Sequence, residues 1–171
     1  MNRYISPQSD EPGQNRLFPD NLTRVFDQAG RALCLMPYAA VKRQKLIHKS
    51  AALLLNDKQG RKILRLNPAN EFGFSAFGFI QADECADDAV LRLLPAWATR
   101  VLDWRPPIIF PVTEETGFAI PHVYEARCDA PPADSATLIL ARNEYEALLV
   151  RDYAFCPLFK YVAGSGKLPW L

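Results

Sequence analysis

Six carboxylates fall in two short clusters, Asp83, Glu84, Asp87 and Asp88 in one and Glu114 and Glu115 in the other. Grouped carboxylates suit a hard divalent cation such as Mg2+ or Mn2+, which takes oxygen ligands and acts through phosphate oxygens. The same residues have a plainer use. Asp83 has the side chain of an N-cap, and Asp87 and Asp88 in a first helical turn complement the helix dipole. Glu114 and Glu115, followed by Thr116 and Gly117, read as a solvated hairpin tip. His48 stands just before an apolar run, and one histidine cannot make a metal site alone, so a hydrogen-bonded structural role suits it. Lys42, Arg43 and Lys45 could meet phosphates or simply form a solvated helix face, and Trp97 and Trp104 could stack on a ring or fill a core.

These residues need elements to position them. Residues 22–27 and 31–36 alternate like a hairpin around Gln28-Ala29-Gly30. A short helix is predicted over 38–46. Residues 50–56 (SAALLLN) form a near-continuous apolar strand, the mark of a sheet covered on both faces. After the turn Asp57-Lys58-Gln59-Gly60, residues 61–66 return. An aromatic strand is predicted over 72–80, and the acidic cluster then opens a helix between Glu84 and Asp87. Pro95 kinks that helix or stops it near residue 94, since proline removes a donor and clashes with the preceding turn. Strands are predicted over 107–112, 118–128 and 136–141, then a helix over 144–151 capped by Asn143. The tail from 152 to 171 carries Tyr153, Phe155, Phe159, Tyr161 and Trp170, and so many aromatics call for packing on the domain or on a second copy of the chain.

Gly78, Glu84 and Arg92 are spaced as G-x5-E-x7-R. That spacing resembles the first half of the Nudix box, G-x5-E-x7-R-E-U-x-E-E-x-G-U. His48-Lys49-Ser50 before an apolar strand, together with Gly78 to Glu84 (GFIQADE), is similar to the branch that includes isopentenyl-diphosphate isomerase, over about residues 22–150. The resemblance implies an α/β fold, a Nudix-type α/β/α sandwich with a mixed β-sheet. It also implies that Glu84 and Arg92 brace loop against helix as an ion pair. The second half of the box departs. Leu93 stands at the glutamate after the arginine, Ala96 and Trp97 at the metal-binding glutamates, and Thr99 at the late glycine; Leu94 alone fits. Positions i, i+3 and i+4 share one helix face, and here that face offers no side-chain oxygen. The Gln-Arg-Arg run that reaches toward substrate in this branch is replaced near Leu66-Asn67-Pro68, and the isomerase's catalytic cysteine motif and paired glutamates are not found.

The resemblance therefore predicts Gly78, Glu84 and Arg92 as structural remnants, with no residue assigned to catalysis or to a metal, and a candidate pocket drawn from His48, Asp83, Asp87, Asp88 and Glu115. The expected function is ligand or partner binding without efficient diphosphate hydrolysis, and no cofactor. The alternative is a hydrolase of nucleoside diphosphate derivatives that holds Mg2+ or Mn2+ with the six acids named above.

Composition narrows the partners to a small molecule or a protein. The 171-residue chain is 49% apolar and carries a formal charge of +1, which fits a single domain over 22–171 behind a flexible arm at 1–21. No basic stripe marks a nucleic-acid surface, and no apolar run approaches the roughly 20 residues that span a bilayer. The polar N-terminus has no apolar signal segment, so a cytoplasmic location is expected. The four cysteines are widely spaced, which suits free thiols rather than a zinc site. The aromatic tail is compatible with a homodimer.

Overall fold

The computed structural model describes residues 19, 21–129, 131–151 and 153–168. The arm predicted over 1–21 lies outside them apart from Pro19 and Asn21, and so does Trp170 of the tail.

The chain opens with the expected hairpin, β1 (Leu22–Phe26) and β2 (Ala32–Pro37). The Asp27 carboxylate closes it by accepting from the amides of Ala29 and Arg31 at 2.9 and 2.8 Å. Helix α1 (Tyr38–Arg43) is shorter than the predicted 38–46, because Lys45 turns to φ +54°, a left-handed conformation in which a helix does not continue. Strand β3 (Ile47–Asn56) follows, with Ser50 to Leu55 buried without interruption. It turns through Asp57 to Gly60 into β4 (Lys62–Leu66).

The single strand predicted over 72–80 is two, β5 (Phe72–Gly73) on β4 and β6 (Ala76–Phe79) on β3. Ser75 lies at the break. Its hydroxyl accepts from the Leu55 amide at 2.8 Å and donates to the Ile63 carbonyl at 2.5 Å, so it satisfies backbone groups where β3 leaves one neighbour for the other. Helix α2 (Ala86–Arg92) ends at Leu93, just before Pro95, as the proline requires. Strand β7 (Val101–Leu102) was not foreseen, and the strand predicted over 107–112 is only β8 (Ile108–Ile109), bounded by Pro107 and Pro111, which cannot donate to a ladder.

Strand β9 (Ala119–Cys128) runs parallel to β3 from His48↔Ala119 to Asn56↔Arg127. Strand β10 (Thr137–Leu140) lies antiparallel to β4. Helix α3 (Arg142–Val150) starts before the predicted Asn143 cap. Ala141 is its N-cap, and the Glu144 carboxylate accepts from the Ala141 amide at 2.7 Å, a role that needs no polar side chain at the cap itself. Helix α4 (Pro157–Gly164), also not foreseen, begins on a proline, the residue that fits the first helical position.

Alternation along β3 sends Ala52 and Leu54 to one face and Ala51, Leu53 and Leu55 to the other. The first set packs against Tyr145 of α3 and Leu158, Phe159 and Val162 of α4, the second against Ala89 and Val90 of α2. The result is a mixed sheet between helical layers. The tail does pack on the domain: the Phe72 amide donates to Ala154 at 2.8 Å, the Cys156 amide donates to Phe72 at 2.9 Å, and Phe155 is buried. No helix among the described residues is long and apolar enough to cross a membrane.

At the far end of β3, Lys62 pairs with Glu125, and both are about 98% buried (1% and 2% exposed). Arg105 approaches the same carboxylate at 3.4 Å. Burial pulls the Lys62 amine below its ordinary value and Glu125 works against that shift. Breaking a buried pair costs more than removing both partners. Lys62→Met should therefore lower stability by about 3–5 kcal/mol, while Lys62→Met with Glu125→Leu should return to about the wild-type value. Urea unfolding of the three proteins measures both.

Candidate functional site

A cavity of about 520 Å³ opens on the face of the sheet that carries α4. That volume is in the range of small-molecule sites. Its apolar wall includes Phe74, Phe77 and Leu158; Phe77 is 44% exposed. Its polar end gathers Tyr38, Lys42 and His48 from α1 and the start of β3, with Glu114 and Glu115 from the turn before β9.

His48 is 2% exposed, and its Nδ1–H donates to the Leu46 carbonyl at 2.9 Å. A carbonyl only accepts, so the neutral ring keeps Nε2 as an acceptor, and no other hydrogen bond of this ring occurs among the described residues. Burial depresses its pKa and the nearby Lys42 charge adds to that, against the Leu46 bond, so the ring is neutral at neutral pH. Tyr38 meets it edge-on at 5.5 Å and stacks on Phe79 at 4.2 Å. Lys42 lies 5.9 Å from the Tyr38 ring centroid and has no carboxylate partner among the described residues. Arg65, also on the cavity, is engaged by Asp134 at 2.7 Å and by Thr137.

The turn carrying Glu114 and Glu115 is locked by reciprocal bonds: the Thr113 amide donates to Thr116 Oγ1 at 3.0 Å and the Thr116 amide to Thr113 Oγ1 at 3.2 Å. Both glutamates are exposed and neither is ion-paired among the described residues. The Glu115 amide and the Thr113 side chain hold the Glu115 carboxyl below the usual carboxylate range.

Across the sheet lies the loop of Gly78 to Glu84 and helix α2. Glu84 accepts from Arg92 Nε at 2.5 Å and Nη2 at 2.9 Å, and its second oxygen also accepts from the Gln81 amide at 3.0 Å. Arg92 Nη2 donates onward to the Phe79 carbonyl at 2.8 Å. Gly78 faces Leu93: a Cβ there would lie 2.7 Å from Leu93 Cδ2. Leu93 and Trp97 pack on the apolar cluster under α2, and Ala96 is exposed. The helix cap is Cys85, not Asp83 as predicted. The Asp88 carboxylate accepts from the Cys85 amide at 3.3 Å, while Asp83 remains exposed in the turn before the helix. Asp87 accepts from the Tyr124 hydroxyl at 2.5 Å; burial first, and then Asp87, push the Tyr124 phenol up.

Of the residues singled out for a pocket, the structure brings His48 and Glu115 to one cavity and puts Asp83, Asp87 and Asp88 at the start of α2 on the other face. The six acids are thus divided. Glu84, Asp87 and Asp88 already hold protein donors, and no group of three or more His, Cys, Asp or Glu side chains among the described residues could hold a metal ion. The residues present do not fit a Mg2+ or Mn2+ centre. Sequence reasoning missed Tyr38, Phe77 and Leu158 as cavity walls. The aromatic run at 72–79 carried a signal for Phe77, and Leu158 had none without α4.

No family model matches the chain, and no curated protein matches it by sequence. Solved structures do match. The crystal structure of DR0079 from Deinococcus radiodurans aligns with a TM-score of 0.69 at 17% identity, covering 86% of this chain and 99% of that one. The solution structure of DR0079, described as a hypothetical Nudix protein, aligns at 0.47 and 20% identity over 85% and 94%. A Nudix-family hydrolase from Clostridium perfringens aligns at 0.47 and 14% identity over 69% and 94%. At such identities the likeness to the DR0079 crystal structure speaks to the fold alone, a mixed α/β fold consistent with the Nudix type.

Two outcomes follow for the residues around the site. Gly78→Ala should cost about 1–3 kcal/mol by overpacking against Leu93, and Gly78→Ala with Leu93→Ala should cost less than the sum of the single changes, which a double-mutant cycle in urea reads. His48 has a folded-state pKa below its ordinary 6.5, so the unfolded chain binds more protons as pH falls. The stability from keeping the ring neutral is full above about pH 6.5 and is lost as pH falls toward the folded-state value. The pH dependence of the urea midpoint below about pH 6.5 should be shallower in His48→Gln.

Proposed function

We propose that this Nudix-fold chain binds a small ligand in the cavity between α1, β3 and α4 and does not hydrolyse diphosphates efficiently. The observation that carries the reading is the state of the acids. Efficient metal-assisted hydrolysis needs several carboxylate oxygens converging on a cation beside the substrate's phosphates. Here Glu84 is held by Arg92 and the Gln81 amide, Asp87 by Tyr124 and Asp88 by Cys85. Glu114 and Glu115 lie across the sheet from them. Leu93 and Trp97, at the positions where the Nudix pattern has glutamates, contribute to the apolar packing of α2. The ligand-binding half of the reading is supported by the cavity's volume and by the polar atoms of Lys42, His48 and Glu114 that no protein group engages among the described residues.

The deciding experiment is a calorimetric titration of Mg2+ and Mn2+ into the wild type and Glu84→Gln, run beside phosphate release from a panel of nucleoside diphosphate derivatives. The expected result is no ion binding below millimolar concentration in either protein and no sustained turnover. Ion binding in the wild type that is lost in Glu84→Gln, together with Mg2+-dependent turnover, would favour the hydrolase with a rebuilt acid set and overturn the proposal.

A further inference from the structure

We infer that the ligand of this cavity is a small aromatic ammonium compound, with its ring against Phe77 and its charged head among Glu114, Glu115 and His48. The inference rests on the reading of the chain as a binder and adds the chemistry of what is bound.

The charge of the polar end disfavours the opposite choice. Arg65 is already neutralised by Asp134 at 2.7 Å. The cation left without a carboxylate is Lys42, and the same cavity is lined by two carboxylates, Glu114 and Glu115, that also lack ion-pair partners among the described residues. The uncompensated charge on the wall is therefore one positive against two negative. A diphosphate or another multiply charged anion would meet net repulsion there, whereas a cation or a zwitterion meets net attraction. His48 strengthens the choice. Its Nδ1–H is committed to the Leu46 carbonyl at 2.9 Å, so Nε2 can only accept. An ammonium group, which donates three hydrogen bonds and accepts none, matches one neutral acceptor and two carboxylates.

The opposite end asks for a flat apolar body. Phe77 is 44% exposed and lines the cavity, so its ring is open to a ligand there. Its ring lies 6.4 Å from the buried Phe74 ring in a near-parallel arrangement, and Leu158 completes the wall. Phe77 of β6 pairs with Ala52 of β3, four residues beyond His48 on that strand, so both side chains stand on one face of the sheet. At about 3.3 Å per residue the two ends are roughly 13 Å apart, the reach of a ring joined to an amine by a short chain. Lys42 leaves room for a carboxylate on the same ligand. The shared chemistry is the aromatic ammonium, and its source is either an aromatic amine or a free aromatic amino acid.

The test is calorimetric titration of tryptamine, L-tryptophan and indole-3-acetate into the full chain. Binding of tryptamine or L-tryptophan at least about tenfold tighter than indole-3-acetate is expected. Glu115→Gln should weaken the ammonium ligands by about tenfold, and Phe77→Ala should weaken all three. Phe77 is exposed and Glu115 is on a solvated turn, so both variants should keep the wild-type unfolding midpoint. Lys42→Ala separates the sources: it should weaken L-tryptophan alone if the ligand is an amino acid and neither compound if it is an amine. Equal or tighter binding of indole-3-acetate, or no binding of either ammonium compound at millimolar concentration, overturns the assignment. Those outcomes leave the reading as a non-hydrolase standing, because that reading fails on ion binding at Glu84 with Mg2+-dependent turnover, which this titration does not read.

Discussion

Strand β3 is buried on both faces, and every backbone N–H and C=O along it must find a partner within the protein. That requirement shapes the sheet. One edge is met by β9, parallel and in register from His48 to Asn56. The other edge is shared by three partners in turn, β1 at Ile47 and His48, β6 from Ser50 to Leu53, and β4 at Leu55 and Asn56. The Ser75 hydroxyl bonds to Leu55 and Ile63 where β6 gives way to β4. The helical layers follow from the same strand, since its two apolar faces need α2 on one side and α3 with α4 on the other. The cavity follows as well. At His48, the first buried residue of the strand, the layer formed by α4 no longer covers the face, and α1 and the turn at Glu114 close around an opening.

What could be read from the chain was what is local or strictly periodic. The run SAALLLN announces a doubly covered strand without reference to anything else. Gly78, Glu84 and Arg92 are legible because their interactions close within one loop and one helix: Glu84 meets Arg92 directly, and Gly78 makes room for Leu93. Ladders of two residues, such as β7 and β8, carry no period to recognise. Helix α4 has aromatic and β-branched residues in most of its turns, and its formation depends on burying Leu158, Phe159 and Val162 against a sheet far away in sequence. The cavity is assembled from α1, β3, β6, the turn at 113–117 and the tail, and no short window of sequence records such a meeting. For that reason the pocket expected from His48, Asp83, Asp87, Asp88 and Glu115 holds for His48 and Glu115 alone, and Asp83, Asp87 and Asp88 do not line it.

The two sides of the sheet treat ionisable groups in opposite ways. On the α2 side each acid near the helix start except Asp83 has found a donor, and apolar groups occupy the rest. That side is arranged for stability: a carboxylate held by Arg92, a capped helix and Trp97 against the cluster all favour the folded chain. On the cavity side a neutral histidine is buried with one nitrogen unengaged by protein, a lysine rests on a tyrosine ring without a counter-ion, and two adjacent glutamates project from a locked turn.

Two of these features do not help the chain to fold: burial disfavours a charged imidazole at His48, and neighbouring like charges on a short turn repel. Around α2, Glu84, Asp87 and Asp88 are each matched to a protein donor, and natural chains depart from such consistency at the places where function requires it. The cavity's unmet groups are also chemically coherent rather than scattered, since acceptors and carboxylates meet at one end and aromatic carbon at the other. Local inconsistency in folding terms combined with mutual consistency in recognition terms is what the proposed binding site rests on, at the cavity rather than at the helix where the sequence motif lies.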